Sequence, residues 1–167
     1  LNAPPVSVVL NWKASYDDSQ GELIDMSQAV PGYTAHDDML AALAEAASQP
    51  DLARYGPVEG DMPLRQSYAR HLSDVYQAEI AADNIQITSG CNQAFVATAL
   101  AVAGQGDRVV MMRPCYFNHE SALGMLGIDI DYVDCDVDHG FLPDCAAIAR
   151  AITDKTKVVI IRPNISS

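Results

Sequence analysis

Asn84-Ile85-Gln86-Ile87-Thr88-Ser89-Gly90-Cys91-Asn92-Gln93-Ala94-Phe95 is the stretch that decides the fold, because a short apolar strand runs through one glycine directly into a helix. From here on, the sequence alternates between strand and helix periodicity. Strands are predicted at 85–88, 108–112, 130–133 and 157–161, and helices at 92–103, 117–126 and 144–152. Short strands rich in Val, Ile and Met that alternate with helices are typical of the α/β class. We therefore expect a mostly parallel sheet with helices on both faces.

The first eighty residues have a different pattern. A helix is predicted at 38–47, where Met39, Leu40 and Leu43 share one face, and another at 64–75, after a proline in first-turn position. The loop at 55–60 between them is rich in glycine and proline. We expect both helices to pack on the sheet.

Composition excludes several classes of protein. The chain has 167 residues, of which 49% are hydrophobic and 19% charged, so a disordered chain is excluded. A formal charge of -12 repels phosphate backbones, so no nucleic-acid partner is expected. No apolar run approaches the roughly 20 residues that span a bilayer, and no leader-like segment opens the chain. We therefore predict no membrane partner and a cytoplasmic protein.

The cysteines show no metal-ligand spacing, so we predict free thiols and no metal site. They are Cys91, Cys115, Cys135 and Cys145. Cys91 is distinguished only by its place at a helix N-terminus, where the dipole can lower the pKa of a thiol.

The turn at Gly90 is a candidate phosphate site. The first turn of a helix offers unpaired backbone N–H groups at the positive end of the dipole, and a glycine lets the backbone approach a ligand closely. Asn92 adds a side-chain donor. Any α/β fold needs such a turn, so this feature alone does not identify a ligand.

A second feature follows the next strand. Pro114-Cys115-Tyr116-Phe117-Asn118-His119 begins where that strand ends, so Tyr116 is expected at the same carboxyl edge of the sheet as Gly90. A tyrosine at this edge can stack on a planar ring, and His119, one helical turn on, can reach toward it. A phosphate-binding turn, an aromatic ring for stacking and an imidazole are together suited to a phosphorylated aromatic cofactor.

These residues resemble the class I/II aminotransferases, the fold type I enzymes that use pyridoxal 5′-phosphate (PLP). The 89–94 turn is similar to their phosphate-binding turn and 114–119 to their ring-stacking segment. The 24–33 segment is similar to their N-terminal substrate loop, and 55–60 with Leu64-Arg65 to their tyrosine loop. The resemblance implies an N-terminal segment and first helix at 1–50, part of the large PLP-binding domain at 51–167, and a C-terminal small domain that is absent.

The resemblance also implies roles for individual residues. Gly90, Cys91 and Asn92 hold the cofactor phosphate, Tyr116 stacks on the pyridine ring, and His119 supports the family's aspartate at the ring nitrogen. Tyr55 reaches the phosphate of a neighbouring subunit, which implies a homodimer with shared sites. Substrate-binding candidates are Ala29, which stands where the family often has glycine, and Val30.

The end of the chain departs from the family pattern. Ile161-Arg162-Pro163-Asn164 matches the start of the family's Pro-Asn-Asn-Pro-Thr-Gly segment, and Asn164 is the candidate for contact with the cofactor's phenolic oxygen. Lys13, Lys155 and Lys157 lack the buried setting of a Schiff-base lysine. The resemblance thus implies no catalytic residue within these 167 residues and an inactive chain taken alone.

The function that follows is transfer of an amino group between an amino acid and a 2-oxo acid in the complete protein. Two alternatives remain open, a PLP-dependent lyase or decarboxylase of the same fold and a non-catalytic sensor module. A nucleotide-binding Rossmann domain is disfavoured, since no Gly-x-Gly-x-x-Gly follows the first strand.

Overall fold

The computed structural model describes residues 5–27 and 31–161. In this part of the chain it contains six α-helices and three β-strands: α1 (Pro5–Ser15), α2 (Asp37–Ala47), α3 (Met62–Tyr76), α4 (Cys91–Val102), β1 (Arg108–Arg113), α5 (Phe117–Met125), β2 (Asp129–Asp134), α6 (Cys145–Ala151) and β3 (Thr156–Ile160). The chain forms two compact units, one of Leu1–Ser19 with Ser89–Ser167 and one of Gln20–Thr88. A domain boundary at residue 50 stays a prediction.

The sheet is parallel and has the strand order β2-β1-β3. The central strand β1 pairs Val109 with Ile130 on one side and with Val158 on the other. Residues 109–112 are all buried, because a central parallel strand is covered on both faces. The uninterrupted apolar run in the sequence therefore indicates that β1 is a central strand of the sheet.

Each face of the sheet has its own apolar cluster. On one face Val109 packs with Ala99 of α4 and Leu123 of α5. On the other face Val110 and Met112 pack against residues of α6, including Ile148. The predicted α/β fold with a parallel sheet and helices on both faces is confirmed.

Two arginines of β1 form ion pairs with aspartates of β2, one at each end of the paired strands. Arg108 donates from Nε to Asp131 at 2.7 Å, and its guanidinium holds the pKa of that carboxyl below its usual range by hydrogen bonding. At the other end, Arg113 binds Asp134 with two hydrogen bonds of 2.6 and 2.9 Å. Paired charges at both ends favour the observed register over a slipped one.

The predicted strand at 85–88 is wrong. The backbone is extended there, with φ of -111° and ψ of 128° at Ile85, but residues 85–88 pair with no strand in the described part of the chain. The N–H of Ile87 instead donates to the carbonyl of Glu59 at 2.9 Å, and the carbonyl of Ile85 accepts from Arg65. These partners are distant in sequence, so strand periodicity could not reveal them.

The N-terminal helices agree with the sequence only in part. Helices α2 and α3 form where they are predicted, and α3 has a proline in its first turn. However, Met39, Leu40 and Leu43 of α2 are about half exposed, so the predicted burial of its apolar face is not seen among the described residues. Helix α1 is not among the predicted helices, although Pro5 at its first position is a known start signal. Within the described ranges, every helix is too short or too polar to cross a bilayer.

Candidate active site

The N-terminus of α4 is open and lacks acidic residues. Gly90 is the N-cap with φ of 85°, a conformation that favours glycine. Apart from its chain neighbours, no atom of the described residues lies within 4 Å of the place where a Cβ would stand. Cys91 and Asn92 of the first turn are exposed. The first-turn N–H groups and the dipole therefore face space that an anion can enter.

Gln93 forms a hydrogen bond within this turn. Its Oε1 accepts a hydrogen bond from the N–H of Ser89 at 2.5 Å. Ser89 precedes the N-cap Gly90, so this bond ties the residue ahead of the helix to its first turn.

Three rings, one from α4 and two from the start of α5, form a cluster. Tyr116, the N-cap of α5, lies at right angles to His119, with ring centroids 5.3 Å apart and an interplanar angle of 85°. His119 is stacked on Phe95 of α4 at 3.9 Å and 12°. Helices α4 and α5 are thus in contact, although only α5 follows a strand of the sheet, because residues 85–88 ahead of α4 form none.

The tyrosine of this cluster is held locally. The Nδ2 of Asn118 donates to the hydroxyl of Tyr116 at 2.7 Å, and the N–H of His119 donates to the carbonyl of Tyr116 at 3.0 Å. Both contacts keep Tyr116 at the start of α5. Asn118, like Phe95, was not predicted as a site residue.

Polar contacts support α5 from β2. The hydroxyl of Tyr132 donates to Glu120 of α5 at 2.7 Å, and the guanidinium of Arg113 lies 4.6 Å from the ring centre of Tyr132. Burial, and then the hydrogen bond to Glu120, raise the pKa of Tyr132 to about 12. Tyr132 is therefore neutral at physiological pH and remains a donor to α5.

Tyr55 belongs to the Gln20–Thr88 unit, and its side chain is fully exposed. The loop that carries it is held at its far end by Gly60, whose φ is 97°. A Cβ on Gly60 would lie 2.6 Å from Cγ1 of Ile87, so only glycine fits between the loop and residues 85–88.

A buried arginine fastens the same extended segment. Arg65 of α3 is 8% exposed and donates to the carbonyls of Ala82 and Ile85 at 3.0 Å. Its guanidinium also pairs with Asp83 at 3.3 Å. The sequence placed Arg65 in the tyrosine-loop motif but gave no sign of this role, because its partners are backbone atoms.

Of the predicted residues, Gly90, Cys91 and Asn92 lie at the N-terminus of α4, and Tyr116 and His119 lie at the start of α5. The two helices meet in the stack of Phe95 on His119, and the joint role of the five residues in one site stays a prediction. The predicted residues Ala29, Val30 and Asn164 lie outside the described residues. Lys155 and Lys157 are exposed at the start of β3, the edge opposite Tyr116, and Lys13 is exposed on α1.

Comparison with known proteins identifies the family. The model of the family described as "Aminotransferase class I and II" matches residues 21–163. The chain is 28% identical over 131 residues to the aromatic aminotransferase ISS1 of Arabidopsis thaliana, covering 78% of this chain and 33% of that protein. It is 25% identical over 163 residues to the aspartate/prephenate aminotransferase of Thermus thermophilus, covering 96% of this chain and 42% of that protein.

Solved structures agree on the fold. The crystal structure of Bna3p of Saccharomyces cerevisiae, titled a putative kynurenine aminotransferase, superposes with a TM-score of 0.84 at 24% identity, covering 96% of this chain and 41% of that chain. Aspartate aminotransferase from Thermus thermophilus with maleate gives a TM-score of 0.83 at 24% identity, over 95% and 42%. The chain spans about a third to two fifths of the length of these relatives. The match over residues 21–163 shows that the chain belongs to the class I and II aminotransferase family.

Proposed function

We propose that this chain is the N-terminal part of a PLP-dependent aminotransferase that moves an amino group between an amino acid and a 2-oxo acid. The observation that carries the proposal is the open N-terminus of α4 beside the Phe95, His119 and Tyr116 rings. Membership of the family and the share of its relatives' length that the chain spans support it.

The residues present fit the cofactor. Cys91 and Asn92 are exposed residues at a helix N-terminus without acidic residues in its first turn, which suits a phosphate dianion. Tyr116 and His119 offer rings on α5, which contacts α4 through Phe95, and such rings suit a planar heterocycle. When bound, pyridoxal phosphate supplies the electron sink of the reaction. This chain's residues bind and orient the cofactor, while its exposed lysines, two of them at the opposite edge, supply no bond to it.

Binding to the 167-residue chain tests the cradle directly. We expect the chain to bind pyridoxal 5′-phosphate more tightly than pyridoxal, which has no phosphate. Asn92→Leu should reduce this preference, and Tyr116→Leu should weaken both ligands. Tyr76→Leu, an exposed tyrosine at the end of α3 in the other unit, is the matched control and should change neither. Equal binding of the two ligands would contradict the cradle.

The reaction is tested on the complete protein. We expect an absorbance band above about 400 nm that borohydride abolishes, and formation of a new 2-oxo acid from an added amino acid. The 167-residue chain alone should show no transamination. Release of CO2 or of an eliminated product in place of transamination would favour the lyase or decarboxylase alternative, and a ligand-binding protein without turnover would favour the sensor.

We propose further that the complete protein is a homodimer in which Tyr55 reaches the partner's phosphate site. The full exposure of Tyr55 on a loop fixed by Gly60 supports this. Sedimentation of the complete protein should give a dimer. Tyr55→Phe should weaken pyridoxal phosphate binding without dissociating the dimer. A monomer that retains full affinity for pyridoxal phosphate would contradict the shared site.

A further inference from the structure

The imidazole of His119 is packed between two aromatic rings. Phe95 lies parallel to it at 3.9 Å and 12°, and Tyr116 lies perpendicular to it at 5.3 Å and 85°. Tyr116 caps the helix of His119, whereas Phe95 comes from α4. The parallel contact thus links the histidine to a different helix, α4.

A parallel stack restricts the rotation of the imidazole about its last side-chain bond. Rotation of an imidazole about its last side-chain bond has broad, shallow minima, so the ring plane is set mainly by its neighbours. A phenyl ring in parallel contact permits one plane and opposes tilting. The plane of the His119 imidazole therefore depends on Phe95.

Phe95 is itself attached to the core. It packs against the cluster of Ala99, Val109 and Leu123, and with these residues it lines an apolar cavity of about 50 Å³. One ring thus joins the buried core of the unit to His119. The same helix carries the proposed phosphate cradle at its N-terminus, so a single element connects the cradle, the core and the histidine.

We propose that Phe95 is a positioning residue for His119, which holds the imidazole plane in a fixed orientation relative to the N-terminus of α4. The inference rests on the proposed function. In that function α4 positions both the phosphate cradle and, through Phe95, the histidine relative to one ligand. Phe95 touches the histidine and acts through it.

Proton NMR of the 167-residue chain tests the contact without any cofactor. Protons above the face of an aromatic ring are shifted upfield, so the imidazole protons of His119 should lie upfield of those of exposed His36. His119→Asn assigns the signal. Phe95→Leu should move it downfield, whereas Val158→Ala, a change in the same apolar cluster on β3, should not. An unmoved His119 signal in Phe95→Leu overturns the proposal.

A double-mutant cycle tests whether Phe95 acts through His119. Phe95→Leu should weaken binding of pyridoxal 5′-phosphate roughly three- to tenfold, the range of an aromatic pair. In the His119→Asn background the same change should have little further effect, because the contact is already gone. An equal loss in both backgrounds shows a structural effect of Phe95 and overturns the positioning role.

The two proposals fail in different ways. If the His119 signal moves as expected but the wild-type chain and the complete protein bind no pyridoxal phosphate, the proposed function is refuted and the positioning role with it. If pyridoxal phosphate binds and Phe95→Leu leaves its affinity unchanged, only the positioning role is refuted.

Discussion

The two compact units are stabilised in different ways. In residues 89–161, nine hydrophobic side chains are buried on the two faces of the sheet. In residues 20–88, the buried side chains of the described part are Ala69, Ile85 and Arg65. The first unit is held by apolar packing, and the second by hydrogen bonds to a buried arginine and by close approach at a glycine.

This difference bears on the candidate site. The residues that would grip the cofactor, Gly90 to Asn92 with Tyr116 and His119, are attached to the apolar core. The Tyr55 loop is fastened to an extended segment by Gly60 and, through that segment, to Arg65. Substitutions that remove apolar volume should therefore damage the first region, and substitutions that alter backbone contacts should damage the second.

The largest effect is expected for Leu123→Ala, since Leu123 is 1% exposed at the centre of the first apolar cluster. Removing a buried leucine costs about 2–5 kcal/mol of the free energy of unfolding. The matched control is Leu64→Ala in α3, where the side chain is 51% exposed and the loss should stay below about 1 kcal/mol. Urea denaturation measures both, and equal losses would remove the distinction between the units.

The next effect is expected for Arg65→Met, which keeps most of the side-chain volume and removes the donors. The carbonyls of Ala82 and Ile85 would lose their partner, at about 1–3 kcal/mol for each group that stays buried. Arg70→Met, an exposed change on the same helix, should cost under about 0.5 kcal/mol. Amide exchange should also become faster at Ile87 in the first variant. A stability loss no greater than that of Arg70→Met would show that Arg65 does not hold this segment.

Gly60→Ala isolates the close contact with Ile87. Both Gly60 and Gly21 have left-handed backbone, with φ of 97° and 113°, but only at Gly60 would an added Cβ meet another side chain. Backbone strain of about 1–3 kcal/mol applies to both substitutions, so any greater loss of unfolding free energy in Gly60→Ala measures the contact. Adding Ile87→Ala to Gly60→Ala should recover part of that excess. Equal losses for the two glycines would mean that the loop moves aside freely.

The sequence predicted the fold best where burial alone decides it. Val109 to Met112 form an unbroken apolar run because both faces of a central strand are covered, and the run predicted β1 correctly. Ile85 and Ile87 have the same local pattern, yet they form no strand in the described structure because their partners are Arg65 and Glu59. Local periodicity does not distinguish these two cases.

The candidate site shows the same limit. Gly90 could be placed as the glycine at the start of a predicted helix, and Tyr116 and His119 because they follow the end of β1. The structure brings the two helices into contact. The stack of Phe95 on His119 joins two helices that are separated by β1, so no spacing rule could reveal it. Membership of a helix was predictable for both residues, but their contact was not.

Within the apolar unit, Val109→Ile and Val110→Ile compare the two faces of β1. Val109 borders the cavity of about 50 Å³, so an added methylene has room there and should stabilise the chain by up to about 0.8 kcal/mol. Val110 is fully buried in the other cluster, where overpacking costs about 1–3 kcal/mol. Urea denaturation should give opposite signs. Destabilisation by both changes would mean that the cavity cannot accept the extra group.

The smallest effect at neutral pH is expected for Tyr132→Phe, which removes a polar contact at the rim of the apolar unit. The pKa of Tyr132 is raised to about 12 by burial and by Glu120, whereas an unfolded tyrosine ionises near about 10. The folded state therefore binds this proton more tightly. The contribution to stability is complete below about pH 10 and falls as the pH rises towards about 12. The difference in unfolding free energy between wild type and Tyr132→Phe, measured from pH 8 to 11, should shrink over that window. A constant difference would show that the folded state does not raise the pKa of Tyr132.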